Sequence, residues 1–224
     1  MKPEIVFEDD TIIVCVKPSG TATQTASLTS QDMVSLLKNH LTRQARKNGT
    51  PIKGEPYLAV IHRLDQPVEG LLVFAKTKQA ASDLSGQLQK DHFGKYYMAV
   101  TEGIPSSSES TLTDYLIRDG KTNLSSVCSP ETPGSKKAIL TYQVVSTKNQ
   151  DDVPLSVLRI HLLTGRHHQI RVQLSHAGFP LVGDRKYNPN GIPARRLSLC
   201  AYRLDIHHPV SGKAMHFEIT PSFL

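Results

Sequence analysis

Tryptophan is absent from the 224-residue chain, and cysteine occurs only three times. Cys15, Cys128 and Cys200 lie far apart and form no Cys-x-x-Cys pair. That argues against a disulfide framework and a cysteine-based zinc site, and it fits a reduced, cytoplasmic setting. The lack of tryptophan disfavours a tryptophan-lined binding platform. No apolar run approaches the roughly 18–20 residues of a membrane span, so no membrane partner is expected. Met1-Lys2-Pro3-Glu4 lacks the charged-then-apolar layout of a signal peptide. The phosphate-loop and dinucleotide-binding glycine patterns are missing, which leaves NTPase and dinucleotide chemistry unsupported. Ten histidines are present, but His167-His168 and His207-His208 are adjacent pairs that point apart on a regular element. With no His-Glu-x-x-His spacing, no metal is expected.

What is present is an ordinary globular composition, 38% apolar and 21% charged, with a formal charge of +6. The length suffices for a real core, and the modest basic excess permits a polyanionic partner without demanding one. Thr11 to Val16 reads as a buried strand stopped by Pro18 and Gly20. Thr29 or Ser30 is the expected cap of a helix running to about Arg46, with Met33, Val34, Leu37 and Leu41 on one face. Lys38, Arg43, Arg46, Lys47 and Lys53 fall between Lys38 and Gly54 without an acid. They suit either a solvated helix end or an RNA backbone. Strands are expected at Tyr57–Ile61, Leu71–Ala75 and Lys95–Thr101, and a helix capped by Thr77 over Lys78–Lys90. Lys136–Ser146 and Leu155–Leu163 read as paired strands. A short helix is expected over His167–Ala177, ended by Gly178, and a final hairpin pairs Leu197–Ile206 with Ala214–Ile219. Gly103–Ser110 and Leu116–Pro133 read as loops. This pattern predicts an α+β fold with a mixed, largely antiparallel sheet and flanking helices. No composition break marks a linker, so residues 1–224 read as one domain.

Two segments concentrate chemistry. His62 to Gly70 packs His, Arg, Asp and Glu between two apolar strands, where loops commonly carry function. Asp65 there is a candidate nucleophile or general base, and a nearby arginine would keep it ionised. Asp65-Gln66-Pro67 is equally ordinary turn chemistry. The second segment is Thr164 to Arg171, where Arg166 and Arg171 flank the start of a short helix that also favours an anion. Arg171 shares a helix face with His167 and can meet a carboxylate from another segment. A structural ion pair is the alternative.

These residues resemble the RluA-type RNA pseudouridine synthases along most of the chain. Val16-Lys17-Pro18-Ser19-Gly20 resembles the first motif. His62-Arg63-Leu64-Asp65 followed by Gly70-Leu71-Leu72-Val73-Phe74-Ala75-Lys76-Thr77 is similar to the catalytic motif. Lys95-x-Tyr97-x-Ala99 looks like the motif that carries the active-site tyrosine. Leu163 to Val172, followed by Gly178-x-Pro180-x-x-Gly183-Asp184-x-x-Tyr187, resembles the third motif. His208-Pro209-x-x-Gly212-Lys213 resembles the closing hairpin. The resemblance implies the pseudouridine synthase fold with a central active-site cleft, and isomerisation of uridine to pseudouridine in ribosomal or transfer RNA. Asp65, Tyr97 and Arg171 are the implied catalytic residues. Asp65 acts on the ribose, Arg171 (or Arg166) pairs with it, and Tyr97 stacks on the uracil. Arg63 holds the flipped nucleotide, and His62, Leu64, Arg166 and Gln169 join it as substrate-binding residues. Neither cofactor nor metal is implied, and a monomer is expected.

The chain departs from the family pattern at two points. Val68-Glu69 replaces the usual Thr-Ser or Val-Ser pair, so that Glu69 either raises the proton affinity of Asp65 or faces solvent. His167 stands where threonine is usual. Many members carry a small RNA-binding domain ahead of the catalytic one. Here about ten residues precede the first strand, so a catalytic domain without a separate N-terminal RNA-binding domain is expected. A non-catalytic RNA-binding protein with this fold is the alternative reading. A glycoside hydrolase using Asp65 and Glu69 would need its carboxyls about 5–10 Å apart across a sugar cleft, which one short loop does not readily supply.

Overall fold

A computed structural model describes residues 2–26, 30–50, 53–90, 93–150 and 152–224. In chain order the elements are β1 (Glu4–Glu8), β2 (Ile12–Lys17), α1 (Met33–Lys47), β3 (Ala59–Val60), β4 (Glu69–Ala75), α2 (Lys78–Gln89), β5 (Gly94–Glu102), β6 (Glu109–Asp119), β7 (Leu124–Cys128), β8 (Lys136–Gln150), β9 (Val153–Leu162), α3 (Gln169–His176), β10 (Leu199–His207) and β11 (Ala214–Glu218). They form two compact units, Met1–Gly94 with Tyr202–Pro221, and Lys95–Ala201 with Ser222–Leu224.

In the first unit, β2 pairs antiparallel with β1 and β4, β3 with β4, and β10 with β11. β4 lies between β2 and β10. Every residue of β4 is buried, which explains why it reads as an unbroken apolar run rather than an alternating one. Ile12, Val14, Leu71, Val73, Leu84, Phe93, Leu204 and Ile206 make up much of its core. The Thr77 side chain caps α2 as expected.

The expected cap of α1 is corrected. Thr29 lies outside the described residues, and Ser30 is not the cap. Asp32 is: its carboxylate accepts from the Ser35 N–H at 2.7 Å, while the Ser35 hydroxyl receives the Asp32 N–H. A carboxylate in this reciprocal box is a stronger acceptor than a hydroxyl. Its second oxygen accepts from the Thr25 N–H at 2.7 Å, so one side chain fixes both the helix and the segment before it. We expect Asp32→Ala to cost about 1–2 kcal/mol, read as a lower midpoint in urea unfolding.

The second unit orders its strands β5-β9-β8-β6-β7, and the pairs β5–β9, β8–β9, β6–β8 and β6–β7 are antiparallel. Two expectations are corrected here. Leu116–Pro133 is not one loop, because it holds the end of β6 and all of β7. Most of β6 is exposed or half-buried, so it carries no apolar alternation to read. The Asp119 carboxylate closes its turn, accepting from the Lys121 N–H and the Thr122 hydroxyl. In the first unit, the expected strand Tyr57–Ile61 shrinks to β3, with Pro56 shortly before it and Tyr57 exposed. The largely antiparallel α+β expectation stands.

Candidate active site

The segment between β3 and β4 runs through Ile61-His62-Arg63-Leu64-Asp65-Gln66-Pro67-Val68. It is irregular, yet its backbone is held at several points. The Thr23 hydroxyl donates to the Leu64 carbonyl at 3.0 Å and accepts from the Leu64 N–H at 3.2 Å. The Asp65 carbonyl accepts from the Val68 N–H at 3.0 Å, which closes a turn directly after the carboxylate. Gly20 donates its N–H to the Gln66 carbonyl, and the Gln66 side-chain amide returns a bond to the Gly20 carbonyl, both at 2.9 Å. Ser19 Oγ donates to the Pro67 carbonyl at 2.8 Å. Asp65 therefore sits half-buried on a loop fixed on both sides, the preorganisation a reacting carboxylate needs.

The residues around it divide. Arg63 is exposed, where it can meet a substrate. Leu64 is buried, and His62 is half-buried. The His62 ring accepts the Val73 N–H at Nε2 (3.3 Å) and meets the Phe93 ring edge-on at 5.1 Å. Glu69 does not face solvent: it is 7% exposed at the start of β4. Lys17, to which the sequence alone attaches no role, is fully buried, and its ammonium feels both Asp65 and Glu69.

In the second unit, α3 carries Arg171 at 4% exposure. Its guanidinium forms a fork on the Asp184 carboxylate, with Nε donating at 2.8 Å and Nη2 at 2.6 Å. The same carboxylate accepts the N–H groups of Lys186 (3.0 Å) and Tyr187 (3.2 Å). The Tyr187 ring lies 5.1 Å beneath the guanidinium carbon, close enough for a cation–π contact. Tyr187 Oη accepts the Ser125 N–H at 2.9 Å and is hydrogen-bonded to His168 Nδ1 at 2.7 Å. Burial, followed by the charges of Arg171, His167 and Lys186, pushes the His168 pKa down to about 3, so the ring is neutral. His168 adopts a left-handed backbone (φ 54°) at the N-cap of α3 and stacks on His167 at 3.8 Å. The helix thus begins at Gln169, later than expected, because the left-handed residue cannot be part of it.

The structural ion pair that the sequence left open for Arg171 is real, and its partner is Asp184. Gln169 also has a structural task. Its Oε1 accepts from the Thr164 hydroxyl (2.8 Å) and the Arg166 N–H (2.9 Å), and its Nε2 donates to the Ile139 carbonyl (3.0 Å). Arg166 is exposed, with Nε on the Lys137 carbonyl. Tyr97 is 7% exposed in β5, opposite Ile160 of β9. Asp184 and Tyr187 are visible in the third motif, but nothing in their spacing marks them as partners of Arg171. Among the described residues, no three or more His, Cys, Asp or Glu side chains are grouped to hold a metal ion.

Residues 11–176 match the family described as RNA pseudouridylate synthase. The uncharacterized RNA pseudouridine synthase YhcT of Bacillus subtilis is 31% identical over 94% of the chain, which spans 66% of that protein. The dual-specificity RNA pseudouridine synthase RluA of Vibrio parahaemolyticus is 33% identical over 93% of the chain and 79% of its own length. The chain belongs to the RNA pseudouridine synthase family. The expectation of an RluA-type isomerase is thereby borne out. The solved structure of human RNA pseudouridylate synthase domain containing 4 shares the fold, with a TM-score of 0.77 over 98% of this chain and 89% of that one at 19% identity. The family match spans Lys17, Asp65, Tyr97 and Arg171, whereas Asp184 and Tyr187 lie beyond it.

Proposed function

We propose that the chain converts specific uridines of structured RNA, ribosomal or transfer, to pseudouridine, with Asp65 as the reacting carboxylate. The observation that carries this reading is the loop around Asp65: a half-buried carboxylate on a backbone fixed from both sides, in a chain of this family. Large-subunit ribosomal RNA is supported as a target class by a relative from Zymomonas mobilis named ribosomal large subunit pseudouridine synthase D, 29% identical over 96% of this chain. The reaction is an isomerisation. The bond from C1′ to N1 of the uracil breaks, the base turns, and C1′ bonds to C5. The C5 proton is lost, and N1 ends protonated, so no external oxidant or energy source is consumed. Asp65 acts on the ribose, either at C1′ as nucleophile or at C2′ as base. Tyr97 and Arg171 keep the roles the family resemblance implies for them. Arg63, exposed beside Asp65, takes the place of the extruded nucleotide, an extrusion that base-modifying enzymes require and that single-stranded loops ease.

The α1 end supplies phosphate contacts. Lys38 is engaged by Glu55 at 2.9 Å, an acid just beyond the basic stretch, while Arg43, Arg46, Lys47 and Lys53 are exposed. Replacing Arg43, Arg46 and Lys47 together by alanine should weaken RNA binding. It should also flatten the dependence of log K on log salt, by roughly 0.7–0.9 for each phosphate no longer neutralised. Filter binding across a salt series checks this, and an unaltered slope removes α1 from the interface. The whole reading is tested by incubating the protein with total RNA and mapping pseudouridine. New sites support it, and their absence with every native RNA favours the binding-only alternative.

A further inference from the structure

Lys17 ends β2 with its side chain wholly buried, a rare place for a lysine. Its Nζ donates to three main-chain carbonyls, of Thr21 at 2.7 Å, Gln66 at 3.0 Å and Pro18 at 3.1 Å. Three acceptors match the three donors of an ammonium, whereas a neutral amine has only two. The Gln66 carbonyl belongs to the residue directly after Asp65, so this grip joins β2 to the reacting loop. In the β2–β4 register Lys17 is opposite Gly70, the neighbour of buried Glu69. One buried cation thus feels two carboxylates, Asp65 and Glu69, and both favour its charged form.

The two acids differ in what the reaction does to them. Asp65 loses its negative charge when it forms a bond to C1′ or takes up a proton. A buried ammonium facing a neutralised partner is strongly disfavoured. Glu69 is not consumed. We propose that Glu69 is a positioning residue, the standing counter-charge that keeps the Lys17 ammonium, and with it the main-chain grip on the Asp65 loop, intact while Asp65 reacts. The proposal rests on the reading of Asp65 given above.

Burial pulls the Lys17 pKa down to about 8, against the opposing pull of Asp65 and Glu69. The ammonium is therefore lost as pH rises through the mildly alkaline range, and the grip on Gln66 weakens in that direction. Removing the Glu69 charge removes an influence that raises the proton affinity of Lys17, so the loss moves to lower pH.

The test compares wild type with Glu69→Gln, Glu69→Asp and Lys17→Met. Carbon-13 NMR of labelled lysine reads the Lys17 titration directly, with no need for turnover. The pH dependence of kcat/KM on a reactive RNA reads the consequence. In Glu69→Gln both the Lys17 midpoint and the alkaline limb of the rate should move to lower pH, by roughly one pH unit. Glu69→Asp should restore most of the wild-type position, and Lys17→Met should lower the rate and lose the limb. An unmoved Lys17 midpoint in Glu69→Gln overturns the proposal. So does a midpoint that moves while the alkaline limb stays. If the wild type modifies no RNA, the Asp65 reading fails instead, and the NMR titration still decides whether Glu69 holds the charge on Lys17.

Discussion

Asp65→Asn lowers the rate of pseudouridine formation by about 10³-fold or more, with RNA affinity within a few-fold of wild type. The amide is isosteric with the carboxylate but cannot attack a carbon or take a proton at neutral pH. Contacts through backbone groups of Leu64, Asp65, Gln66 and Pro67 shape the loop, and the substitution leaves those groups in place. The fold around the site therefore survives the substitution. Glu69 still accompanies Lys17 in the variant, so the buried ammonium is not stranded. Single-turnover assays with a defined RNA, alongside filter binding, separate the two effects. Residual formation at more than about a tenth of the wild-type rate would remove Asp65 from the reaction.

The second large effect falls on stability. Asp184→Ala leaves the Arg171 guanidinium without the carboxylate that takes both arms of its fork, and it leaves the Lys186 and Tyr187 N–H groups without their acceptor. Breaking a buried ion pair from one side costs about 3–5 kcal/mol, a large share of the stability of a typical domain. Urea unfolding should show the midpoint falling accordingly. The pair is bidentate and nearly fully buried, so the double variant Arg171→Met/Asp184→Ala should lose less than the two single losses added together. A double-mutant cycle measures that coupling, and simple additivity would show that the fork contributes nothing as a pair. Activity follows a separate course in this cycle. Arg171→Met should be slow at temperatures where it remains folded, because the proposed reaction requires Arg171 itself.

Much of this is legible in the sequence, for reasons that differ from element to element. β2 and β4 are visible because both are buried along nearly their whole length, leaving continuous apolar runs. α2 is visible through its Thr77 cap and apolar stripe. β6 and β7 are not, because an exposed hairpin needs no apolar side, although Asp119-Gly120 is a turn signal in plain view. The α1 cap lies a few residues from its expected place because Ser30 and Asp32 are both good capping types, and only the reciprocal bond with Ser35 separates them. Within the site, the motif around Asp65 can be read directly, and so can Arg171. The Arg171–Asp184 pair cannot, since a long-range ion pair leaves no periodic trace. Lys17 is hidden for a related reason. A lysine at the end of a strand reads as solvent-facing until the burial of its neighbours is known, and its three carbonyl partners come from two separate segments. Glu69 offers two readings in the sequence, and burial removes the solvent-facing one.

The most direct measurement is pseudouridine mapping across the RNA of the native organism in four strains: wild type, gene deleted, and the deletion complemented with either the wild-type or the Asp65→Asn chain. The account predicts at least one uridine that is modified in wild type, unmodified in the deletion, restored by the wild-type chain and not by Asp65→Asn. An identical pseudouridine pattern in all four strains, or restoration by Asp65→Asn, would contradict it.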